Sequence, residues 1–165
     1  MCSSDLQRQA EFEALSQKQR WQQLPPNRLQ GKRLVILGTG SIGSHIAATG
    51  RHFAMTVIGV NNGNSANNVF DRIVQLQDLA EVLSQADFVV STLPDTPVTR
   101  GLLDADLLQE LKPSAYLVNV GRASVLDHNA LAQLLSEGRL AGALLDVLPV
   151  EPLPASDPLW QDRKS

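Results

Sequence analysis

The chain has 165 residues, of which 43% are hydrophobic and 19% are charged, as is typical of one globular domain. A net charge of −3 and a pI near 5.5 argue against nucleic acid or an anionic membrane as the main partner, and the apolar runs are too short to span a bilayer. The chain opens with no signal peptide, and its single cysteine, Cys2, supports no disulfide framework, so we expect a cytoplasmic protein.

The two ends of the chain do not match the patterns beside them. Cys2–Leu6 can be encoded by TGC-TCT-TCC-GAT-CTN, and Asp162–Ser165 by GAT-CGG-AAG-AGC. These codons contain an inverted repeat that resembles a common sequencing-library adapter read at both ends of one insert. We therefore expect residues 1–6 and 162–165 to be non-native tails. A nucleotide sequence with other codons would remove this expectation.

The sequence between these ends predicts a polar helix followed by alternating strands and helices. Residues 7–22 space Phe12, Leu15 and Trp21 for one helical face, and two prolines within 24–27 end that helix. The predicted strands are 33–37, 56–60, 88–93, 116–120 and 141–147, and the predicted helices are 41–53, 79–86, 102–111 and 129–135. Because the strands are apolar almost throughout, residues 31–161 predict an α/β fold with a doubly wound parallel sheet, covered on both faces.

A glycine loop, Gly38–Gly43 (GTGSIG), joins the first strand to the first helix of this domain. In dinucleotide-binding loops the first glycine permits the tight turn, the second lets the backbone approach the pyrophosphate, and the third allows close helix packing. The helix start adds free N–H groups and a positive dipole end. The loop therefore predicts a Rossmann-type coenzyme site at Gly38, Thr39, Gly40, Ser41, Ile42 and Gly43.

The end of the second strand leaves the choice of coenzyme open. A fold that selects NAD usually has Asp or Glu near this point, and one that selects NADP has Arg. Here the candidates are Asn61 and Asn62, whose amides can bind ribose hydroxyls but neither repel nor clamp a 2′-phosphate. We expect NAD or NADP, and both residues could also be ordinary turn residues.

Four motifs in the run from Gly31 to Trp160 resemble the coenzyme domain of the D-isomer-specific 2-hydroxyacid dehydrogenases, and above all the branch of glyoxylate and hydroxypyruvate reductases. The motifs are Gly38–Gly43, Ser91–Leu103, Leu111–Arg122 and Leu144–Pro154. The resemblance implies an NAD(P)-dependent oxidoreductase that transfers a hydride to or from a small 2-oxo or 2-hydroxy acid.

The resemblance also implies roles for single residues. Arg122 follows a predicted strand, and a guanidinium matches a carboxylate in charge and shape. In the family the matching arginine binds the substrate carboxylate and polarises the keto oxygen, and the backbone at Val120 and Gly121 faces the nicotinamide. Asp146 matches the residue that holds the carboxamide. Further matches to cofactor contacts are Leu93, Pro94 and Thr99.

Glu151 matches the family glutamate that pairs with a catalytic histidine and raises its pKa. That histidine would follow Glu151 by roughly two dozen residues, beyond this chain, and His45, His52 and His128 do not replace it. The substrate domain is largely absent as well, while residues 7–30 match a linking helix that helps form a homodimer in the family. We expect the chain to bind NAD(P)H weakly and not to turn over glyoxylate.

Other functions fit part of the same pattern. A non-catalytic dinucleotide-sensing module of the same fold would bind the nucleotide and leave Arg122 and Glu151 without a catalytic role. An alanine dehydrogenase or a homocysteine-forming hydrolase has a similar coenzyme domain but not the pattern from Arg122 to Glu151. A Rossmann domain of unrelated function is the least specific alternative.

Overall fold

The computed structural model describes residues 9–23, 27–63, 68–155 and 158–161. Within these residues the strands are β1 Arg33–Leu37, β2 Thr56–Val60, β3 Arg72–Val74, β4 Phe88–Ser91, β5 Tyr116–Asn119 and β6 Gly142–Leu145. The α-helices are α1 Gln9–Gln17, α2 Ser41–His52, α3 Leu79–Leu83, α4 Ala105–Gln109 and α5 His128–Ser136, and short 3-10 helices lie at Leu76–Asp78, Ala123–Val125 and Pro158–Gln161. No helix among them combines the length and the apolar composition that a membrane crossing requires.

All six strands pair in parallel in one sheet, in the order β3-β2-β1-β4-β5-β6. Leu34 of β1 pairs with Val57 on one side and with Phe88 on the other. The chain therefore winds outward from β1 to β3 and then returns to the other side of β1 to build β4, β5 and β6. This is the doubly wound Rossmann arrangement, and the carboxyl ends of β1 and β4 form its switch point.

Alternate residues of strands β1 to β5 enter two separate apolar clusters, one on each face of the sheet. Val35 and Leu37 pack with the buried leucines of α3, α4 and α5. Leu34 and Ile36 pack on the opposite face with Ala47 of α2. On that second face an apolar groove of about 440 Å³ remains, lined in part by side chains of β4 and β5.

The structure confirms the strands β1 and β2 at their predicted bounds, extends the helix predicted over 129–135 by one residue at each end, and shortens the other predicted elements. Strand β4 ends at Ser91 rather than at residue 93, and β6 spans Gly142–Leu145 rather than 141–147. The helix predicted over 102–111 is confined to α4 because Leu103 forms a bridge with Leu126, and the Asp104 side chain then caps the helix. Strand β3 was not predicted, since three residues give no detectable alternation.

Several large apolar residues in and beside the first two helices are exposed. Helix α1 ends at Gln17, so Trp21 lies beyond it and is 91% exposed, and Phe12 is 44% exposed. Helix α2 ends one residue before Phe53, and Phe53 and Ile42 are 50% and 60% exposed. The spacing of α2 predicts that Ile42, Ile46, Ala47 and Phe53 face the sheet. Ala47 and the partly buried Ile46 do so, Phe53 lines the apolar groove on that face, and Ile42 lies at the cleft instead.

Some predictions fall on residues outside the described part of the chain. They are the tails 1–6 and 162–165, the helix stop within 24–26, and residues 64–67 of the loop that the Gly, Asn and Ser residues of 61–68 predict. The domain boundaries at residues 31 and 161 remain predictions, although the first strand begins at Arg33.

Asp87 joins three elements at the amino edge of the sheet, opposite the glycine loop. Its Oδ2 accepts a hydrogen bond from the Arg33 backbone N–H at 2.8 Å, and its Oδ1 accepts one from Lys112 Nζ at 2.8 Å. Lys32 Nζ lies 3.7 Å from the same Oδ1. Burial alone would raise the pKa of the Asp87 carboxyl, but these donors and the two ammonium charges hold its pKa below the ordinary value.

We predict that Asp87→Asn lowers the free energy of unfolding by about 1–3 kcal/mol at pH 7. Because the folded pKa is depressed, this stability is present above the unfolded pKa of about 4 and is lost as the pH falls through the folded pKa. Urea unfolding at pH 7 and pH 3 measures the effect, with the exposed Asp106→Asn as the control. An equal loss at both pH values would contradict a charge-dependent role.

Candidate coenzyme and substrate site

A cleft of about 520 Å³ opens at the carboxyl ends of β1, β2 and β4. This is the switch point of the sheet, where open α/β folds bind their ligands. Its walls come from the glycine loop, the end of β2 and the segment after β4: Gly38, Thr39, Gly40, Ser41, Ile42, Asn61, Thr92, Leu93 and Pro94. Eight of these nine residues were predicted from the sequence, and Thr92 was not.

Each glycine of the loop has a distinct environment. Gly38 has a φ of +100°, and an added Cβ would lie 2.7 Å from Thr92 Oγ1. A Cβ on Gly43 would lie 2.0 Å from the carbonyl oxygen of Gly38, so this position allows no side chain. A Cβ on Gly40 would meet nothing within 4 Å. The backbone at Gly40 is therefore open to a ligand, while the other two hold the loop in place.

Helix α2 begins at the wall of the cleft. Gly40 is its N-cap and provides no side-chain cap, and Ser41 and Ile42 form its first turn beside the cleft. The first N–H groups of a helix have no acceptor within the helix and lie at its positive end. This arrangement fits the negatively charged pyrophosphate of a dinucleotide.

The end of β2 is tied to the glycine loop. Asn61 Nδ2 donates a hydrogen bond to Thr39 Oγ1 at 2.8 Å, and Asn61 Oδ1 accepts one from the Gly63 N–H at 3.2 Å. Asn62, by contrast, is exposed and does not line the cleft. The amide of Asn61 thus joins the end of β2 to the glycine loop and forms part of the cleft wall.

The segment after β4 forms the facing wall. Thr92 Oγ1 donates hydrogen bonds to the carbonyl oxygens of Leu37 at 3.1 Å and Gly38 at 3.2 Å, which joins this wall to the glycine loop. Thr99, a predicted coenzyme contact, is 7% exposed, and its Oγ1 donates to the Pro94 carbonyl at 2.6 Å. The Thr99 hydroxyl therefore shapes the turn and does not line the cleft.

The turn that carries Arg122 follows β5. Asn119 is 1% exposed; its Oδ1 accepts from the Gly121 N–H and its Nδ2 donates to the Arg122 carbonyl, both at 3.1 Å. A Cβ on Gly121 would lie 2.6 Å from the Leu93 carbonyl oxygen. The turn therefore packs directly on the cleft wall. The Val120 side chain instead lines the apolar groove on the sheet face that α2 covers.

The structure places the Arg122 side chain at the exposed carboxyl edge of the sheet. Its Nη1 donates a hydrogen bond to the Gly121 carbonyl at 2.9 Å. Asp146 and Glu151 follow the next strand, β6: the Asp146 N–H donates to the Asn119 carbonyl, and Glu151 Oε1 accepts from the Leu148 N–H at 3.0 Å. Both carboxylates belong to exposed residues, and neither residue lines the cleft.

Three residues of this edge were missed by the sequence analysis: Thr92, Asn119 and Asp95. A buried asparagine at a strand end is a detectable signal, because buried amides need hydrogen-bond partners. Thr92 and Asp95 had no such signal, since the bonds that tie them to the other loops reach Leu37 and Ser124, which are distant in the chain. No group of three or more potential metal ligands occurs among the described residues.

Comparison with known proteins agrees with this geometry. Residues 1–165 match the model of the family described as "D-isomer specific 2-hydroxyacid dehydrogenase, NAD binding domain". A relative from Serratia proteamaculans, glyoxylate/hydroxypyruvate reductase A, is 32% identical over 151 residues, which cover 92% of this chain and 48% of that protein. The chain thus spans about half the length of this curated relative.

Two solved structures extend the comparison. A D-isomer specific 2-hydroxyacid dehydrogenase family protein from Aeromonas salmonicida superposes with a TM-score of 0.88 at 42% identity, over 98% of this chain and 52% of that one. The NADPH-dependent glyoxylate/hydroxypyruvate reductase from Sinorhizobium meliloti, in complex with NADP and sulfate, gives a TM-score of 0.84 at 28% identity, over 96% of this chain and 52% of that one.

Proposed function

The chain belongs to the family of D-isomer-specific 2-hydroxyacid dehydrogenases, as its NAD(P)-binding domain, and we propose that the whole protein reduces a small 2-oxo acid such as glyoxylate or hydroxypyruvate. One observation carries this proposal. The glycine-loop cleft and the turn of Arg122 lie on one edge of the sheet, and Gly121 packs directly against Leu93 of the cleft wall.

The residues of the cleft fit a dinucleotide. The N–H groups at the start of α2 would bind the pyrophosphate, and the open face of Gly40 would let it approach the backbone. Leu93 and Pro94 form an apolar wall that would exclude water from one side of the nicotinamide. The backbone at Val120 and Gly121 would face the same ring, since Gly121 packs on Leu93. When bound, the reduced coenzyme supplies the hydride.

In the proposed reaction Arg122 binds the carboxylate of the oxo acid and draws electron density toward its keto oxygen. A guanidinium stays ionised across the physiological pH range and offers a planar pair of donors to a carboxylate. The exposed position of Arg122 supports this role, because the fork can leave the Gly121 carbonyl without loss of buried packing. Arg122 thus fixes which carbon of the substrate faces the coenzyme.

Asp146 and Glu151 have proposed roles further along the edge. We assign Asp146 to the nicotinamide carboxamide and Glu151 to the histidine that protonates the keto oxygen, a residue that lies outside this chain. A carboxylate beside an imidazole raises the imidazole pKa, which suits a proton donor. The hydrogen bond from the Leu148 N–H supports the assignment of Glu151, because it holds the carboxylate in one orientation.

The assembly and location of the whole protein are part of the same proposal. We propose a cytoplasmic homodimer, with no nucleic-acid or membrane partner, whose contact includes α1 and the residues that follow it. The exposure of Phe12 and Trp21 supports this contact, since large apolar side chains at a surface favour burial by a partner.

The proposal is tested by separating coenzyme binding from turnover. We expect the chain to bind NADH at one site per molecule, seen as a change in nicotinamide fluorescence. Mixed with NADH and glyoxylate, it should show no loss of absorbance at the nicotinamide band, because the proton donor and the substrate domain are outside it. Absence of NADH binding would contradict the coenzyme site, and measurable reduction of glyoxylate would contradict the division of the active site.

The loop after β2 predicts weak discrimination between NADH and NADPH. Residues 61–68 include no charged side chain, and Asn61 is held by Thr39. We expect the two Kd values to lie within about tenfold of each other. Asn62→Asp should favour NADH and Asn62→Arg should favour NADPH, each by about 5- to 10-fold. Fluorescence titration measures this, with Asn129→Asp on α5 as the control.

A further inference from the structure

Two loops meet beside the cleft and carry residues with different proposed roles. The loop after β4, residues 92–104, contains the apolar wall, and the loop after β5, residues 120–127, contains Arg122. They are joined beyond the Gly121 contact: the Gly101 N–H donates to the Ser124 carbonyl at 2.8 Å, and the Leu103 N–H donates to the Val125 carbonyl at 2.9 Å. These hydrogen bonds link the two loops directly.

The carboxylate of Asp95 lies between these loops. Its Oδ1 accepts hydrogen bonds from Arg100 Nε at 2.7 Å and from Ser124 Oγ at 2.9 Å, and its Oδ2 accepts one from Arg100 Nη2 at 3.1 Å. The bond to Arg100 fixes the carboxylate on its own loop, and the bond to Ser124 reaches the other loop. Ser124 is two residues from Arg122, so Asp95 constrains the backbone that carries the guanidinium.

Electrostatics act in the same direction. The hydrogen bonds from Arg100 and then Ser124 lower the pKa of Asp95 below its ordinary value, and the positive charge of Arg122 lowers it further. Asp95 is thus ionised at neutral pH, and its charge and that of Arg122 attract each other. The hydrogen bond to Ser124 restrains the turn that carries Arg122, and the charge attraction favours guanidinium positions nearer to Asp95.

We propose that Asp95 is a positioning residue that ties the coenzyme wall to the turn of Arg122 and so orients the guanidinium toward the cleft. The purpose of this orientation, which is to present the guanidinium to the substrate, rests on the proposed function. It assigns Asp95 no contact with substrate or coenzyme. Arg100 and Ser124 belong to the same arrangement, since each donates a hydrogen bond to the Asp95 carboxylate.

The Nε–H resonance of Arg122 in the ¹⁵N-labelled chain tests the proposal without turnover. We expect Asp95→Asn to shift this resonance in the free chain and to reduce its response to NADH to less than half. Asp95→Ala should also speed amide exchange of Gly101 by roughly 2- to 10-fold, the equivalent of one net hydrogen bond. Glu110→Gln removes an exposed carboxylate after α4 and should change none of these quantities.

The outcomes separate this inference from the proposed function. If the Arg122 resonance in Asp95→Asn matches that of the unsubstituted chain, with or without NADH, Asp95 does not position Arg122. If the free-chain resonance shifts but NADH binds to neither protein, the positioning is upheld and the coenzyme site fails. A general loss of structure would instead move resonances throughout α5 and lower the melting temperature. In that case Ser124→Ala serves as the second variant, because it removes the bond between the loops and keeps the pair of Asp95 with Arg100. Ser124→Ala must then still shift the Arg122 resonance if the proposal is correct.

Discussion

Gly43→Ala is expected to lower the free energy of unfolding by more than about 3 kcal/mol and to abolish NADH binding. An ideal Cβ at this position lies 2.0 Å from the Gly38 carbonyl oxygen and 3.2 Å from Ile36 Cγ2. The first contact is with backbone, which cannot turn aside as a flexible side chain could. Helix α2 would have to move away from β1, and this movement would open the glycine loop. Urea unfolding and NADH titration measure the two effects.

The same substitution at Gly40 is the matched control. Nothing lies within 4 Å of a Cβ on Gly40, so we expect Gly40→Ala to change stability by about 1 kcal/mol or less. Its methyl group would nevertheless occupy the space assigned to the pyrophosphate and should weaken NADH binding at least about tenfold. Equal unfolding midpoints for the Gly43 variant and the unsubstituted chain would contradict the structure, and full NADH affinity in the Gly40 variant would contradict the assigned pyrophosphate position.

Arg122→Gln is expected to lower kcat/KM for glyoxylate by roughly 10²- to 10³-fold in the whole protein, as is typical when a charged partner of a bound carboxylate is removed. Arg122→Lys should give a kcat/KM between those of Arg122→Gln and the unsubstituted protein, because lysine keeps the positive charge but lacks the planar pair of donors. Since Arg122 is exposed, neither change should alter the unfolding midpoint. NADH affinity of the isolated chain should stay within about threefold, because Arg122 is assigned to the substrate.

The control for this prediction is Arg139→Gln. Arg139 is also exposed, and its Nη1 lies 3.7 Å from a Glu137 carboxylate oxygen, far along the chain from the cleft walls. The Arg139→Gln substitution should leave kcat/KM for glyoxylate unchanged. If Arg122→Gln reduced glyoxylate as well as the Arg139 variant, the carboxylate would have to be bound by another group.

The sheet could be predicted from the sequence because its strands are continuous apolar runs between turn residues. Strands β1 and β2 have the predicted bounds, and each precedes a loop that departs sharply in composition. Strand β3 could not be found, since a three-residue edge strand depends on pairing with β2 rather than on its own pattern. The exposure of Trp21 was likewise unpredictable, because it depends on where α1 ends.

The candidate site divides in the same way. The glycine loop could be recognised because its chemistry is local: three glycines, one strand and one helix within a short segment. Thr92 and Asp95 have partners 54 and 29 residues away, so only the folded structure reveals their contacts. Thr99 was predicted to contact the coenzyme, but its hydroxyl faces the Pro94 carbonyl inside the turn.

A crystal structure of the chain soaked with NADH is the most direct test of the proposed coenzyme site. We predict that the pyrophosphate lies on the N–H groups of residues 40–43, that the nicotinamide lies between Leu93 and Gly121, and that the Arg122 guanidinium faces the same opening. Coenzyme density elsewhere, an empty cleft at saturating NADH, or a guanidinium directed away from the nicotinamide would contradict the account.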